Sequence, residues 1–577
     1  MADQEDNLQL QNIFNPAIPV PPADNIQVAP EPFDAGAYPP PPNFPPHIML
    51  DNNRHTYRNW CWDIEVDNVW IAIPNSYEQV REIADWAVYQ SYKIRPVGMM
   101  HNWSPIVMDK GATAPVANIL LVSTQLLNRQ QFAWQGDIPT ATFGTGVTIE
   151  TATDYLEGQD NKGKGLAPGF SFINMTGPGD ISLGGALAVG AHGTSIPIEA
   201  NPADRLGGSL SNLILSFTAV VSDPANPGKH ILKTFLRSDA DAPAFLVNLG
   251  RAFIVEVTLR VVPNYYLNQT NHFVPIASAF CAPEFSGLPR SLHKYVEKSG
   301  RVEVIWFPGT EFAWVKTWDE VDALVGNTTR QPYNENFTFL SDARNIYVRN
   351  LLKSKPWLNP AYFTTALNHV RNNAYKQLSG TSRNMLLYVK PSTLRLTALG
   401  YCIQISRADI QVSVHDFIQG FNSIMKGYPL KYPVSGAVEL RFTSMDLTDQ
   451  LGMGEVQPPS FSASRSVKAA DPSLDTVFWA DILSIPGINE NTYPFFAEME
   501  QWIFDRWGDK VRPEWSKGWA CTTEGEMWKN PDVIQRIKTT YYADTYEYTR
   551  STLAKYDQNH IYTNNFLEVL LPGANNI

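Results

Sequence analysis

Apolar and polar positions along the first third of the chain follow two different periods. Val69-Trp-Ile-Ala-Ile is a short run of β-branched and aromatic residues and predicts a strand. Pro74 and Asn75 interrupt it, and Ser76 with Gln79 forms a capping-box pattern. Val80, Ile83, Ala84, Ala87 and Val88 follow at helical spacing. Lys93 to Gly98 then reads as a strand running into a glycine turn. Residues 118–122 and 140–144 predict further strands, and 147–156 the helix after the second. Strand, helix, strand and glycine turn is the order of an α/β cofactor domain.

The pattern changes further along. Ser211 to Val221 is a long apolar run, and Phe253 to Val262 alternates apolar with polar, so both predict strands. Beyond Pro263, longer strand-like and helical stretches alternate to about residue 520, as expected of a second domain of mixed structure. At the other end, residues 1–46 are rich in proline, which favours an extended arm without chemistry of its own.

Composition narrows the function. A chain of 577 residues exceeds one ordinary core, so two or more domains are expected. With 44% hydrophobic and 18% charged residues it is globular, and its 16 Trp, 24 Tyr and 28 Phe suit large cores or an apolar pocket. A net charge of −12 repels phosphate backbones, which argues against nucleic acid as a partner. Cys61, Cys281, Cys402 and Cys521 are far apart and form no metal or disulfide pattern, so no metal is expected. The first residues, MADQEDNLQLQN, lack the basic start and apolar run of a secretory signal, and no segment reads as a membrane span.

Two segments carry candidate cofactor chemistry. In the first, Arg95, Pro96, Val97, Gly98, Met99, Met100, His101 and Asn102 take a strand into a turn. Such a turn presents backbone N–H groups to a pyrophosphate without basic side chains. The second, residues 177–194, holds six glycines and several alanines. Small residues at that density bring backbone close to a flat ring or to another helix. A short helix is expected over 184–191. The segment is neither a Rossmann fingerprint nor a P-loop, because no lysine follows a suitable glycine.

Gly98 to His101 and the Gly-Gly…Ala-His-Gly segment resemble the two FAD-holding loops of the vanillyl-alcohol oxidase superfamily. Six further stretches resemble its covalent-flavin (type II) cholesterol oxidases: 208–213, 248–251, 305–308, 394–397, 498–502 and, most specifically, Arg-Pro-Glu-Trp-Ser-Lys-Gly-Trp at 512–519. The resemblance runs in order from about residue 57 to Leu571. It implies an α+β fold of two domains. These would be an FAD-binding α+β domain over 47–265 and a mixed α/β substrate domain with a large sheet over 266–525. Residues 526–577 would return to the FAD domain.

The resemblance also implies roles. His101 matches the histidine bonded to FAD, and Arg95 to Asn102, Gly179, Ser182, Gly184, Gly185, Ala188, Gly190, His192, Gly193, Asn212, Phe253, Ile254 and Asn564 fall in its cofactor regions. His192 either contacts the FAD phosphates or ribose or caps the local backbone. Asn564 or Asn565 would approach the isoalloxazine. Glu311 matches a glutamate beside the flavin that gates oxygen, Glu439 and Arg441 an acid and base at the substrate, and Lys517 a lysine in the same pocket. Spacing adds one fact: residues 439 and 441 share a face if they lie on a strand. On the residues alone, a surface ion pair explains them better. Two departures stand out. The relatives carry asparagine where this chain has Asp481, and the flavin turn reads Gly-Met-Met-His without a second glycine.

The implied activity is FAD-dependent oxidation of a 3β-hydroxysteroid to the ketone, with oxygen reduced to hydrogen peroxide and the ring double bond shifted by Glu311 or Glu439. An oxidase of another alcohol, sugar or lactone is the alternative, and a flavin-binding protein without catalysis a third. The resemblance also favours a monomer, an extracellular site and transient contact with sterol-bearing membranes.

Overall fold

The computed structural model describes residues 10, 39–111, 118–198, 207–334, 342–391, 393–465 and 473–573. Most of the proline-rich arm therefore lies outside the described residues. The capping pattern forms as its sequence predicts: Ser76 accepts from the Gln79 amide, and helix α1 (Tyr77–Gln90) turns Val80, Ile83, Ala84 and Ala87 inward. It packs beside a four-stranded sheet of β1 (Met49–Arg58), β2 (Glu65–Ile73), β3 (Lys93–Val97) and β4 (Ile119–Ser123), ordered β1-β2-β4-β3. Strands β2 and β3 run parallel to β4.

A second sheet holds β5 (Gln130–Gln135), β6 (Ile138–Gly144), β8 (Ile214–Ser222), β9 (His230–Leu236) and β10 (Phe253–Arg260), all antiparallel in the order β5-β6-β10-β8-β9. A two-stranded pair, β7 (Phe170–Ser171) with β11 (Val262–Pro263), lies beside it. The alternation read in 253–262 is real, since every second residue of β10 is buried. Helix α2 (Ile149–Glu157) is capped by Thr148, and α3 (Leu183–Ala188) by Ser182. Helix α3 stops earlier than the expected residue 191, because Gly190 leaves helical geometry at φ 65°. The apolar run from Ser211 begins as a 3₁₀ turn over Leu210–Leu213, just after Ser209 is bound by Asp446.

The largest sheet has eight strands. They are β12 (Tyr266–Pro275), β13 (Val302–Trp306), β14 (Phe312–Val321), β15 (Gln377–Thr381), β16 (Thr397–Ile405), β17 (Val438–Ser444), β18 (Thr476–Ser484) and β19 (Val511–Pro513), in the antiparallel order β15-β12-β14-β13-β17-β18-β16-β19. The α+β class with a large sheet in the second half is thus as expected. Helices α4 (Asn359–Asn373), α5 (Ile410–Met425) and α6 (Thr492–Trp507) accompany it. On one face Val304, Leu440, Phe442, Phe478 and Ile482 join a single core with Phe417, Phe421 and Phe504 from α5 and α6. Phe417 meets Phe478 edge to face with ring centroids 5.9 Å apart. Burial of one such phenylalanine stabilises by roughly 1.5–3 kcal/mol.

The opposite face is polar at its centre, and register dictates which groups meet. Lys316, Glu303, Arg441 and Trp479 are successive cross-strand neighbours. Trp314, Ile305, Glu439, Asp481 and Gly400 form the adjacent row. Because side chains alternate with period two, both rows point away from α5 and α6, toward the side on which Val370 of α4 packs against Trp314.

The C-terminal segment closes the first half of the molecule. Arg251 bonds Asp557 at 2.9 Å and the Tyr562 carbonyl at 2.7 Å, both side chains being almost fully buried. Arg251→Ala strands the Asp557 carboxylate in the interior. A loss of about 3–5 kcal/mol is expected, read as a lower denaturation midpoint.

Candidate active site

A cavity of about 380 Å³ lies between the two glycine segments and the polar face of the large sheet. Its upper wall is the turn after β3. Arg95, Pro96, Val97, Gly98, Met99, Met100, His101 and Asn102 all line it. Arg95 is fixed beneath the turn, donating to the Gly250 carbonyl at 2.7 Å and to the Ile106 carbonyl. Burial pulls its pKa down to about 9. Ser182, Gly184, Gly185, Ala188, His192 and Ile254 line the same wall. The two segments are pressed together: a Cβ on Gly98 would stand 2.0 Å from Ser182 Oγ. Only glycine allows that approach.

His101 stacks on Trp60 at 3.7 Å between ring centroids. Its Nε2 is buried and has no hydrogen-bond partner. Burial also drops its pKa to about 3, with Arg395 and Lys517 adding to the fall, so the ring is neutral. A neutral imidazole with an unengaged nitrogen in a cavity wall is suited to bonding an electrophilic carbon, and a buried orphan nitrogen otherwise costs stability.

The sheet forms the floor. Arg441 donates to Asp481 and, at 3.3 Å, to Glu439. Lys517 Nζ lies 3.5 Å from Asp481 and 4.0 Å from Glu514. It reaches this position because Gly400 lies opposite Asp481: a Cβ there would stand 2.6 Å from Lys517 Cγ. Desolvation pushes the Glu439 carboxyl up to about 7, with Glu303 and Asp481 adding to the rise and Arg441 and Lys517 opposing it. Burial also raises Glu514, but Lys517, His192 and Arg441 outweigh it and hold that carboxyl well below the usual range. Tyr388 donates to Glu303 at 2.6 Å, and Lys316 lies 3.7 Å from the centre of the Tyr388 ring.

Several expectations are corrected. Glu311 is exposed on the turn before β14 and does not line the cavity. The carboxylate that β13 delivers to the cavity is Glu303, whose odd-numbered position faces inward with Ile305. A lone acid in the apolar run Val302–Trp306 was the available signal. Asn212 is engaged elsewhere, donating to the Leu447 carbonyl and accepting from Arg237. Phe253 belongs to the core that α1 shares with the four-stranded sheet. Gly179 packs on the Tyr333 hydroxyl, Gly190 on Val247 and Gly193 on the Met175 carbonyl, all outside the cavity lining. Asn564 caps the last helix by accepting from Leu567, and donates to the Pro105 carbonyl. Asn565 is exposed. Asp481 lies under the floor, fully buried, and acts on it through Arg441 and Lys517. His192 lines the cavity stacked on Trp479 at 3.5 Å, with Nδ1 2.9 Å from the Gly193 carbonyl oxygen. Sequence reasoning missed Trp60, Asn248, Gly250, Tyr388 and Glu514, which also line it.

The described residues hold no cluster fit for a metal ion and no helix long and apolar enough to cross a membrane. The four cysteines are free and buried.

The fold is shared with a vanillyl-alcohol-oxidase-type flavoprotein of Myceliophthora thermophila, 14% identical with a TM-score of 0.53 over 87% of this chain and 79% of its own. Residues 268–572 match the family model described as cholesterol oxidase, substrate-binding. A solved cholesterol oxidase of Brevibacterium sterolicum is 31% identical, with a TM-score of 0.85, over 93% of this chain and 99% of its own. A solvent-stable cholesterol oxidase is 33% identical, with a TM-score of 0.84, over 92% of this chain and 99% of its own. The chain therefore belongs to the cholesterol oxidase family, and is an FAD-dependent oxidoreductase of that family. It also aligns with the L-gulonolactone oxidase of Mus musculus, 22% identical over 54% of this chain and 62% of that protein. The chain thus spans about three fifths of that curated relative.

The packing of Gly98 on Ser182 yields a direct expectation. Gly98→Ala drives the Ser182 hydroxyl off the Gly185 amide that it caps, at about 1 kcal/mol. The purified variant should hold less FAD per chain than the parent by absorbance.

Proposed function

We propose that this protein oxidises a 3β-hydroxysteroid to its ketone, with FAD attached covalently to His101 and oxygen reduced to hydrogen peroxide. The observation that carries the reading is the register of the large sheet, which sets Glu439, Arg441 and Glu303 on one floor opposite His101. Ile305, Phe307, Trp314, Tyr362, Ala366 and Leu483 give the substrate end of the cavity an apolar lining suited to a ring system of low polarity.

Bound FAD would supply the two-electron acceptor and pass the pair to oxygen. The chain supplies the proton chemistry. Glu439, with its raised pKa, takes the hydroxyl proton as the carbon loses hydride. Arg441 stabilises negative charge developing on the alkoxide oxygen. Lys517 and Asp481 hold Arg441 and Glu439 in place. A shift of the ring double bond needs a carboxylate that removes and returns a carbon-bound proton, and Glu303 and Glu439 are the candidates on the floor. The match to L-gulonolactone oxidase, together with Asp481, favours a second reading: oxidation of a lactone or sugar in the same cavity.

Peroxide release separates the two. Cholesterol should support it and an aldonolactone should not; the reverse pattern sinks the sterol reading. Acid precipitation should leave the yellow colour in the pellet. His101→Ala should retain FAD but release it to the supernatant, and turn over more slowly. Because Glu439 works as a base, kcat/KM should fall as pH drops through its raised pKa. Glu439→Gln should lose about 100-fold or more in kcat. Glu303→Gln should impair turnover by at least about tenfold, whereas Glu311→Gln should stay close to the parent.

A further inference from the structure

The floor of the cavity carries an unequal count of charges. From β17 come Glu439 and Arg441 and from the loop after β19 Glu514 and Lys517, with the fully buried Asp481 of β18 just beneath them. Glu303 of β13 is taken up by Tyr388 and by Lys316 of β14. His192 Nε2 stands 3.7 Å from Glu514. Three carboxyls thus face Arg441 and Lys517.

The bonding pattern is just as uneven. Arg441 and Lys517 both approach Oδ2 of Asp481, and Lys517 and His192 both approach Oε1 of Glu514. Asp481 Oδ1 and Glu514 Oε2 are buried and receive no donor. Yet the two carboxyls flank one ammonium, Lys517 Nζ lying 3.5 Å from Asp481 and 4.0 Å from Glu514, and the Glu514 N–H donates to the carbonyl of Gly400, the strand partner of Asp481. Two ionised carboxyls so placed repel strongly, whereas one proton turns one of them into a donor and satisfies both oxygens.

We propose that Asp481 and Glu514 share a single proton, carried by Asp481, and that this pair positions Arg441 and Lys517 beneath the reacting centre. The assignment to Asp481 follows from its surroundings. Burial and the facing Glu514 push its carboxyl up, while Lys517, His192 and Arg441 keep Glu514 ionised. A protonated aspartic acid presents a hydroxyl donor toward Glu514, and that donor can be titrated away. Once it ionises, Glu514 and Asp481 repel, and Arg441 and Lys517 are drawn from Glu439. Asp481 does not line the cavity, so its role is positioning.

The catalytic meaning rests on the function proposed above, but the test needs no substrate, so failure of a sterol assay leaves it intact. A group whose folded pKa is raised above its unfolded value lends stability that is present below the unfolded pKa and lost as pH rises through the folded one. Infrared difference spectra of the whole protein should show, besides the carbonyl stretches of Glu439 and Glu500, whose carboxyls burial also raises, one further protonated-acid band that persists above the ordinary carboxylate range. Asp481→Asn should remove that band and flatten the fall in thermal midpoint over the same pH window. Glu514→Gln, which removes the facing charge, should move the band's titration to lower pH. The proposal is overturned if Asp481→Asn leaves both band and midpoint profile unchanged. It is equally overturned if the band is lost in Glu514→Gln and kept in Asp481→Asn.

Discussion

Strand register is the constraint on which the site depends. Glu303, Glu439, Arg441 and Asp481 come from three strands far apart in sequence, and only the pairing of β13, β17 and β18 makes them neighbours. A slip of one residue would turn every one of them into the core that α5 and α6 cover. The aromatic packing on that side, with Phe442 and Phe478 fully buried, therefore also fixes the polar floor. Packing energy on one face sets chemical geometry on the other.

The wall opposite is built on a different principle. Gly98 and Ser182 meet without room for a side chain, and Gly250 passes over the Arg95 guanidinium at φ 76°. Backbone, not charge, shapes that wall, as suits a cofactor whose phosphates are held by N–H groups. His101 is the exception, a neutral ring braced by Trp60 with one nitrogen unengaged. The two walls thus differ in kind, one close-packed backbone and the other a cluster of ionisable groups.

Much of the first domain was legible in the sequence because its signals are local. The Ser76 cap, the alternation of β10 and the glycine turn at Gly98 each depend on neighbours within a few residues. The floor was legible only in part. Residues 439 and 441 share a face by spacing alone, yet that spacing fits a surface ion pair equally well, and only the pairing of β17 with β13 and β18 places them inside. Glu311 misled because a motif fixes a stretch of chain, whereas burial is decided residue by residue within it. Glu514 sat in the most specific stretch of all, but its partners Lys517, His192 and Asp481 are assembled by contacts that no local pattern encodes.

The turn after β3 is also tied to segments remote in sequence. Ile94 donates to the Ile561 carbonyl, Trp103 to the Ser516 carbonyl and Ser104 to the Trp515 carbonyl. During synthesis the turn around His101 emerges more than four hundred residues before the groups that brace it. Loop closure over more than four hundred residues is slow relative to local folding. The cofactor pocket is therefore a late product of folding, and a chain halted before residue 515 would carry the flavin loop without the scaffold that shapes it.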